Sequence, residues 1–298
     1  MSSHMSSRGL PEFELLIPQT SPEAVDMLAQ HREQLSILSG GTALWNYVRG
    51  RNRVTPYVLS LSALKGLDYI NEIPGEGLRI GAKATVAQLI ENPAVSAKYA
   101  ALHESGYWFG NPTVRNMATV MGNVLRASPS ADCSCALLAL GCQVILQSKS
   151  GQRAVDIDDF WLSYDVTARK PDELAVEIRI PEPKATTRSA FQRLTRVRQD
   201  LAKLNVAVRL EMDKGVCQQA RIAIGCVGPT TMRVKKTEAL LQGKAISDSL
   251  LDQLATSVRG EISPIDDQRS TALYRQQVAG VIVKRTISRA AAEKGASL

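Results

Sequence analysis

The segment ATVMGNVLRASPSAD (residues 118–132) places a glycine and several small polar residues directly after an apolar stretch. A second segment of this kind, SGGTAL (residues 39–44), follows the apolar run LSIL. Backbone without bulky side chains offers N–H donors that phosphate oxygens can approach. The two segments therefore indicate either ordinary tight turns or two sides of a site for an anionic ligand. Their spacing matches neither the GxGxxG pattern nor the phosphate-binding loop pattern GxxxxGK.

Helix signals occur at several points along the chain. Ser21 is predicted to cap a helix that has a proline and a glutamate in its first turn. Thr85 and Gln88 have the spacing of a capping box. Asp132 is predicted to cap the short helix CSCALLALG, which Gly141 ends.

Strand signals divide the chain into an N-terminal and a C-terminal part. Strands are predicted for LSIL (35–38), YVLSLSAL (57–64), LRIGA (78–82), a hairpin over 143–157, and ELAVEIRIP (173–181). After a proline-containing stretch come three antiparallel candidates, SAFQRLTRV, LNVAVRLEMD and ARIAIGCVG, and helices near 246–258 and 271–294. We predict an α+β chain with a ligand-binding domain over residues 10–183 and a C-terminal domain, one small sheet with helices, over residues 188–298.

Composition narrows the range of partners. The 298 residues carry a formal net charge of +7, but the basic residues are dispersed and aromatics are only 5%. Nucleic-acid binding usually requires a basic stripe, so we predict no nucleic-acid partner.

The apolar stretch CSCALLALGCQVIL (133–146) is too short to cross a bilayer. The opening MSSHMSSRG reads as an expression leader, so we exclude it, with His4, and predict a cytoplasmic protein with no membrane partner.

Cysteine and histidine usage disfavours metal and triad chemistry. Five cysteines, with Cys133 and Cys135 in an apolar segment, indicate buried free thiols and neither a disulfide framework nor a metal site. His31 and His103 have no acid or nucleophile at an informative spacing. We therefore predict no catalytic residue and no metal ligand in this chain.

Five motifs in order carry a resemblance to a known family. They are LSGGTAL, GNPTVRNMATVMGNVLRASPSAD, DELAVEIRIP, AFQRLTRVRQDLA and TALYRQQVAGVIVKR. The chain resembles the FAD-binding medium subunit of molybdenum hydroxylases, the family of xanthine dehydrogenase, aerobic carbon monoxide dehydrogenase and 4-hydroxybenzoyl-CoA reductase. The resemblance implies a two-subdomain FAD-binding fold of the vanillyl-alcohol-oxidase type, followed by a small C-terminal domain with a three-stranded antiparallel sheet.

The resemblance also implies a set of FAD contacts. The pyrophosphate would be bound by Ser39, Gly40, Gly41, Thr42 and Ala43, and the phosphate and ribityl region by Thr119, Gly122 and Asn123. The adenosine side would contact Ser128 and Asp132. Ala175 would lie beside the isoalloxazine, with Gln192 and Arg193 near a strand that bears a lysine in the family, where a cation favours anionic reduced flavin.

Three positions need separate interpretation. Met121 replaces a glycine of the family's TxGGN pattern, so that turn must accept a side chain or shift. Arg126 stands where a small polar residue is common, and its charge could pair with a phosphate. Trp45 either packs on the cofactor or fills the interface between lobes.

The implied function is electron transfer. The chain would bind FAD and receive electrons from [2Fe–2S] clusters of a small partner subunit, while a large partner subunit with a molybdenum cofactor oxidises the substrate. An external acceptor, such as NAD or oxygen, would then be reduced. Two alternatives stay open: a self-contained FAD-dependent oxidase or reductase, and a non-enzymatic module that binds an anionic partner.

Overall fold

The computed structural model describes residues 11–50 and 55–292. Three parts of the sequence-based predictions lie outside the described residues: the segment MSSHMSSRG with His4, the first residue of the domain predicted over 10–183, and the last six residues of the domain predicted over 188–298.

The first lobe is a small parallel sheet with one helix packed on it. Its strands run in the order β1-β3-β2. The strands are β1 (Glu14–Leu16), β2 (Leu35–Leu38) and β3 (Tyr57–Ser60), and the helices are α1 (Ser21–His31) and α2 (Leu44–Arg49). Helix α1 connects parallel strands and buries Ala24, Val25 and Leu28 in the core of this lobe.

Two local predictions in this lobe need correction. Thr20, not Ser21, caps α1, because its extended backbone lets its hydroxyl accept a hydrogen bond from the N–H of Glu23. The strand predicted over residues 57–64 ends at Ser60, because Leu61 turns its N–H to the carbonyl of Leu38.

The second lobe is an antiparallel sheet covered by a layer of short helices. The strand order is β4-β5-β10-β6-β7, and a separate hairpin pairs β8 with β9. The strands are β4 (Ile70–Ile73), β5 (Gly77–Gly81), β6 (Gln143–Ser148), β7 (Gly151–Asp156), β8 (Trp161–Ser163), β9 (Val166–Thr167) and β10 (Leu174–Pro181). The helices are α3 (Val86–Glu91), α4 (Pro93–Lys98), α5 (Ala100–Trp108), α6 (Pro112–Met117), α7 (Val120–Leu125) and α8 (Asp132–Leu140).

Sequence signals in the second lobe are confirmed at several points. Thr85 and Gln88 form the predicted capping box, and the 143–157 hairpin is present as β6 and β7. Gly141 ends α8 with a φ of 74°. Every residue of α8 is buried, which explains why this helix is apolar on all sides.

The C-terminal part is a second antiparallel sheet with helices on one face. Its strands are β11 (Thr187–Leu194), β12 (Leu204–Asp213), β13 (Val216–Gly225), β14 (Met232–Arg233) and β15 (Lys244–Ala245). Its helices are α9 (Lys235–Leu241), α10 (Asp248–Arg259) and α11 (Ala272–Ala291). The three predicted strands are present and adjacent, but β14 and β15 both pair with β13, so the sheet exceeds the three predicted strands.

The C-terminal sheet lies between two sets of helices. One face packs on α9 and α11, and α10 joins the same hydrophobic core. The other face contacts α5 and α8 of the second lobe, where Phe191, Ala207 and Ala223 join that lobe's core. The boundary that we propose between domains falls between β10 and β11. Among the helices of residues 11–50 and 55–292, none has both the length and the apolarity that crossing a bilayer requires.

Candidate functional site

The first glycine segment, Ser39–Ala43, connects β2 to α2. Gly41 has a φ of 72°, in the left-handed region that favours glycine. A Cβ atom at Gly41 would also lie 2.9 Å from the indole ring of Trp45. That indole packs against Phe13, with ring centroids 5.8 Å apart. Trp45 is thus part of the packing of the first lobe, and any side chain at position 41 would be both strained and crowded.

Gly40 brings the first glycine segment into contact with the segment that precedes α7. A Cβ atom at Gly40 would lie 1.9 Å from the carbonyl oxygen of Met117 and 3.1 Å from the Cα atom of Ala118. Only a glycine allows the two backbones to approach so closely. The two glycine-containing segments, which the sequence related only by their residue types, are therefore in contact.

The backbone N–H groups of residues 40–44 form a set of free donors. Within the described part of the chain, none of them donates a hydrogen bond to a protein acceptor. The carbonyls of Gly41 and Ala43, in contrast, accept bonds from Trp45 and Tyr47 at the start of α2. These residues are half-buried or exposed, so a ligand can reach their N–H groups, and a cluster of such donors is suited to bind an anion.

We call residues 118–132 the second glycine segment, in chain order. This segment begins helix α7 and does not form the predicted turn. Thr119 caps α7 by accepting a hydrogen bond from the N–H of Gly122 at 3.0 Å, and the N–H of Val120 donates to the carbonyl of Ala84. Met121 is 2% exposed and lies in the core of the second lobe. The side chain of Met121 therefore packs in the protein interior, and the backbone at the start of α7 accepts it.

Asn123 connects α7 to α8. Its side-chain oxygen accepts a hydrogen bond from the N–H of Ser134 at 3.1 Å, so it caps α8 in place of Asp132. The Asp132 cap was a wrong prediction, because Asp132 is the first residue of the helix and its carboxylate faces the C-terminal sheet. Within the described residues, the side-chain nitrogen of Asn123 donates no hydrogen bond, so this donor is available to a ligand.

Asp132 and Arg193 form a buried ion pair between the second lobe and the C-terminal sheet. Their side chains are 6% and 4% exposed. Arg193 donates to one carboxylate oxygen, and Asn205 donates to the other at 2.8 Å. Arg193 also donates to the carbonyls of Arg198 and Asp200. Both carboxylate oxygens of Asp132 and the terminal nitrogens of Arg193 thus already have protein partners.

Gln192 and Arg193 face opposite sides of the sheet, because consecutive side chains of a strand alternate. The side-chain oxygen of Gln192 accepts a hydrogen bond from the hydroxyl of Thr286 on α11. Arg193 points instead toward α8. The structure therefore separates these two residues, which the resemblance had placed together.

Ser128 and Ala175 are held by other parts of the second lobe. The hydroxyl of Ser128 bonds to that of Ser130 at 3.0 Å in the turn before α8. Ala175, on β10, is buried in the core of the second lobe. Neither residue touches the first glycine segment through a contact that the structure defines.

The other end of α8 is also bound to the C-terminal sheet, a feature that the sequence did not reveal. Arg209 donates to the carbonyl of Leu140, and Arg221 donates to the carbonyl of Leu138, each at 2.8 Å. Cations at a helix C-terminus are favourable, since the last carbonyls lack intrahelical partners. The sequence signal was an arginine among the apolar residues of each of two strands.

All five cysteines are buried and unpaired, as predicted. Burial raises the pKa of the Cys133 and Cys226 thiols to about 12. Within the described residues, no three metal-ligating side chains come close enough to hold a metal ion.

Two concavities lie apart from the glycine segments. A groove of about 600 Å³ is lined by Gln192, Val281, Lys284, Arg285, Ser288 and Arg289. A smaller cavity of about 220 Å³ is lined by Leu138, Asp158, Trp161, Thr230, Thr231, Met232, Arg233 and Lys235. The candidate site therefore rests on the contact between the segments and on their free donors, not on an enclosed cavity.

Comparisons with known proteins agree with this organisation. A family model described as "FAD binding domain in molybdopterin dehydrogenase" matches residues 11–183, and one described as "CO dehydrogenase flavoprotein C-terminal domain" matches residues 189–290. The carbon monoxide dehydrogenase medium chain of Hydrogenophaga pseudoflava is 29% identical over 280 residues, which are 94% of this chain and 97% of that protein. The xanthine dehydrogenase FAD-binding subunit of Escherichia coli is 27% identical over 281 residues, 94% of this chain and 96% of that protein.

A solved structure extends the likeness to three dimensions. The structure of carbon monoxide dehydrogenase from Hydrogenophaga pseudoflava contains a chain that superposes with a TM-score of 0.92 at 30% identity, covering 95% of this chain and 98% of that one. The predicted α+β fold, an FAD-binding domain followed by a small C-terminal domain, is confirmed. The chain therefore belongs to the family of FAD-binding medium subunits of molybdenum hydroxylases, and it is a flavoprotein subunit of an oxidoreductase.

Proposed function

We propose that this chain binds one FAD without a covalent bond and transfers electrons within a molybdenum hydroxylase complex. The observation that carries the proposal is the contact at Gly40 between two chain segments, beside a row of N–H groups without protein acceptors. A dinucleotide carries a diphosphate, whose oxygens require several donors from more than one side. When bound, FAD would supply chemistry that accepts and releases one or two electrons.

The residues of the first glycine segment have distinct roles in this proposal. The N–H groups of Gly40, Gly41, Thr42 and Ala43 would donate to the diphosphate, and the hydroxyl of Ser39 would add a further donor. The missing side chains at positions 40 and 41 keep this surface open, since a Cβ atom there would push against Met117 or Trp45.

The second segment would act mainly through Asn123. Its side-chain nitrogen is a free donor among the described residues, and its oxygen is fixed by Ser134. That bond orients the amide before a ligand arrives. Thr119 and Gly122 would contribute by starting α7 at the correct place, because the hydroxyl of Thr119 already accepts the N–H of Gly122.

The remaining residues of the expected site are better explained without a direct contact to FAD. We assign Asp132 and Arg193 to the interface between the second lobe and the C-terminal sheet, since they are buried and paired. Gln192 supports α11, and Ser128 supports the turn before α8. Ala175 would support the site only indirectly, by packing in the core of the second lobe.

The partners follow from the family. We propose a large subunit with a molybdenum cofactor that oxidises the organic substrate, and a small subunit with [2Fe–2S] clusters that delivers electrons to this chain. The relatives support this arrangement because they are named as medium chains or FAD-binding subunits. The final acceptor would be external, such as NAD or oxygen, and a cytoplasmic location stays a prediction from the sequence.

The first test is the identity and attachment of the flavin. The full chain, purified and incubated with FAD, should bind about one FAD, and acid precipitation should release the yellow colour into the supernatant. Flavin left in the pellet would contradict non-covalent binding, and a preference for FMN would contradict the role of the diphosphate. A colourless chain that binds polyanions would favour the anion-binding alternative.

The second test concerns the partners. Dithionite should reduce the flavin of the isolated chain, while purines, aldehydes and N-heterocycles should not. Flavin reduction by an organic substrate should require the large and small subunits. Rapid turnover by the isolated chain would instead establish a self-contained flavoenzyme.

A further inference from the structure

We propose that Arg126 is a positioning residue for the cofactor site: it holds the helix that follows the first glycine segment against the end of α7. This inference rests on the proposed function, since the site that it positions is the FAD site. Arg126 would act without touching the cofactor, through its contacts with the two chain segments.

The guanidinium of Arg126 lies within cation–π distance of two tyrosine rings. Its central carbon is 4.8 Å from the ring centroid of Tyr47 and 5.1 Å from that of Tyr164. Its nitrogens also donate to the hydroxyl of Tyr164 at 2.8 Å and to the carboxylate of Asp165 at 3.3 Å. The side chain of Arg126 is 19% exposed, and cation–π contacts gain strength as the groups lose solvent.

These contacts join three separate pieces of the chain. Tyr47 lies on α2, one turn after the first glycine segment, and Arg126 directly follows α7. Tyr164 and Asp165 form the turn of the β8–β9 hairpin. We call this set of four residues the arginine strut.

The hairpin provides a fixed base for the arginine strut. The indole N–H of Trp161 donates to the carbonyl of Val124 at 2.8 Å, and the N–H of Asp165 donates to the carbonyl of Ala127 at 3.1 Å. Ala127 and Asp165 both have left-handed backbone, with φ of 47° and 59°. The hairpin is therefore fastened to the end of α7 independently of Arg126, and the additional contact that Arg126 makes is the one to Tyr47.

The consequence concerns α2 and the free N–H groups before it. This helix has only six residues, Leu44–Arg49, and a helix of that length is not stable without tertiary contacts. The stack of Arg126 on Tyr47 fixes α2 from the side of the second lobe. The N–H groups of residues 40–44 would then keep a constant position relative to Asn123. The charge of Arg126 is engaged by Asp165 and the two rings, so a direct bond to phosphate is not required for this role.

The experiment measures FAD binding kinetics and amide exchange in the full chain. In Arg126→Ala, we expect the FAD dissociation rate constant to rise about tenfold, a size consistent with the loss of a partly buried cation–π stack. The association rate constant should change less, because the site still forms transiently. Tyr47→Leu should match Arg126→Ala, whereas Tyr47→Phe should stay close to wild type because the ring face is kept. Arg126→Lys should fall between, since an ammonium keeps the charge but lacks the planar guanidinium, which stacks on rings and donates from separate nitrogens.

Controls separate the arginine strut from general effects of removing an arginine. Arg79 is also partly exposed and also paired with a carboxylate, that of Glu76, but it lies on β5. Arg79→Ala should leave both rate constants unchanged. The double variant with Tyr47→Leu and Arg126→Ala should dissociate FAD no faster than either single variant, because both substitutions break the same contact.

Three results would overturn the proposal. Wild-type dissociation rates in Arg126→Ala would do so directly. Weaker FAD binding in Arg126→Ala but not in Tyr47→Leu would indicate a direct bond from Arg126 to phosphate. The third readout needs no FAD: amide hydrogen exchange over residues 44–49 in the apoprotein should become about tenfold faster in Arg126→Ala, and unchanged exchange would refute the strut. If the wild-type chain binds no FAD, the proposed function fails, while this exchange measurement still decides on Arg126.

Discussion

The contact at the glycine segments and the contact between α8 and the C-terminal sheet differ in how their polar groups are satisfied. At Gly40 the two chain segments meet through backbone, and neighbouring N–H groups have no protein acceptor among the described residues. At α8 the contact is made by buried side chains: Arg193 and Asn205 donate to the two carboxylate oxygens of Asp132, while Arg193 Nε and Asn205 Oδ1 are buried without a partner among the described residues. Both regions carry residues that the family resemblance assigned to FAD.

The difference provides a criterion for choosing between a ligand site and a structural interface. A buried charge that already has its partners gains little from a ligand, and exchanging partners would cost desolvation. A donor without an acceptor gains a hydrogen bond when an anion arrives. We therefore expect substitutions in the two regions to have separate effects, on stability at α8 and on FAD affinity at the glycine segments.

The largest effect is expected from breaking the interface pair. Arg193→Ala leaves the carboxylate of Asp132 buried without its cation, which should lower the free energy of unfolding by about 3–5 kcal/mol. Chemical denaturation of the full chain would measure this change. The decrease should be the same with and without FAD, because the pair does not contact the cofactor and FAD affinity is unchanged.

A paired replacement sharpens this test. Replacing both members, with Asp132→Asn and Arg193→Met, removes the charges together and should recover much of the stability. This double variant should bind FAD with wild-type affinity. A folded double variant that has lost FAD binding would show that Asp132 or Arg193 contacts the cofactor after all.

The next largest effect is expected at Gly40. In Gly40→Val, the side chain must displace the backbone at Met117, and overpacking of this kind costs about 1–3 kcal/mol. Because the cost falls on the contact between the segments, FAD affinity should drop by about tenfold to a hundredfold, as titration of the flavin would show. Gly260→Ala, at a position where a Cβ atom meets nothing closer than 3.5 Å, is the matched control. Equal FAD affinity of the two variants would argue against the site.

A smaller and more selective effect is expected at Asn123. Asn123→Asp keeps the oxygen that caps α8 at Ser134 but replaces the free donor with a negative charge, so it should weaken FAD binding by about 1.5–3 kcal/mol with little loss of stability. Asn123→Ala removes the cap as well and should also lower stability by about 1 kcal/mol. Calorimetric titration and thermal unfolding would separate the two effects. Wild-type FAD affinity in Asn123→Asp would remove Asn123 from the site.

The fold was predictable from sequence to the extent that local pattern determines it. Apolar patterns located strands in each of the three larger sheets, but not the short strands β1, β4, β8 and β9. Gly141 was identified as a helix end because only local φ matters there. The cap of α1 was placed one residue too late, at Ser21 in place of Thr20. Threonine and serine are both favoured at the N-cap, so residue type alone does not choose between two such neighbours. The two-residue strands β14 and β15 have no pattern of their own, and they exist because β13 offers free edges at its two ends.

The site was less predictable because its decisive contacts join distant residues. The glycines at positions 40 and 41 could be selected by residue type, but the approach of Gly40 to Met117 depends on the packing of two lobes. Asp132 has the residue type that suits a ribose hydroxyl, and only the fold shows that Arg193 and Asn205 occupy its carboxylate. The stacking of Arg126 on Tyr47 likewise has no local signal.

The smallest expected effect is on the cysteines when FAD is removed. Cys135 of α8 donates to the carbonyl of Ala223 across the interface, and Cys226 donates to the carbonyl of Ala202. Burial raises the pKa of both thiols, that of Cys226 to about 12, so near pH 8 they stay protonated and should react slowly with iodoacetamide. Because FAD would contact the other region, the apoprotein and the FAD-bound protein should be alkylated equally slowly at these positions. Mass spectrometry of the labelled peptides would measure this, with Arg193→Ala as the positive control that opens the interface. Faster labelling of Cys135 in the wild-type apoprotein would show that FAD release also loosens α8, and the two regions would then not be independent.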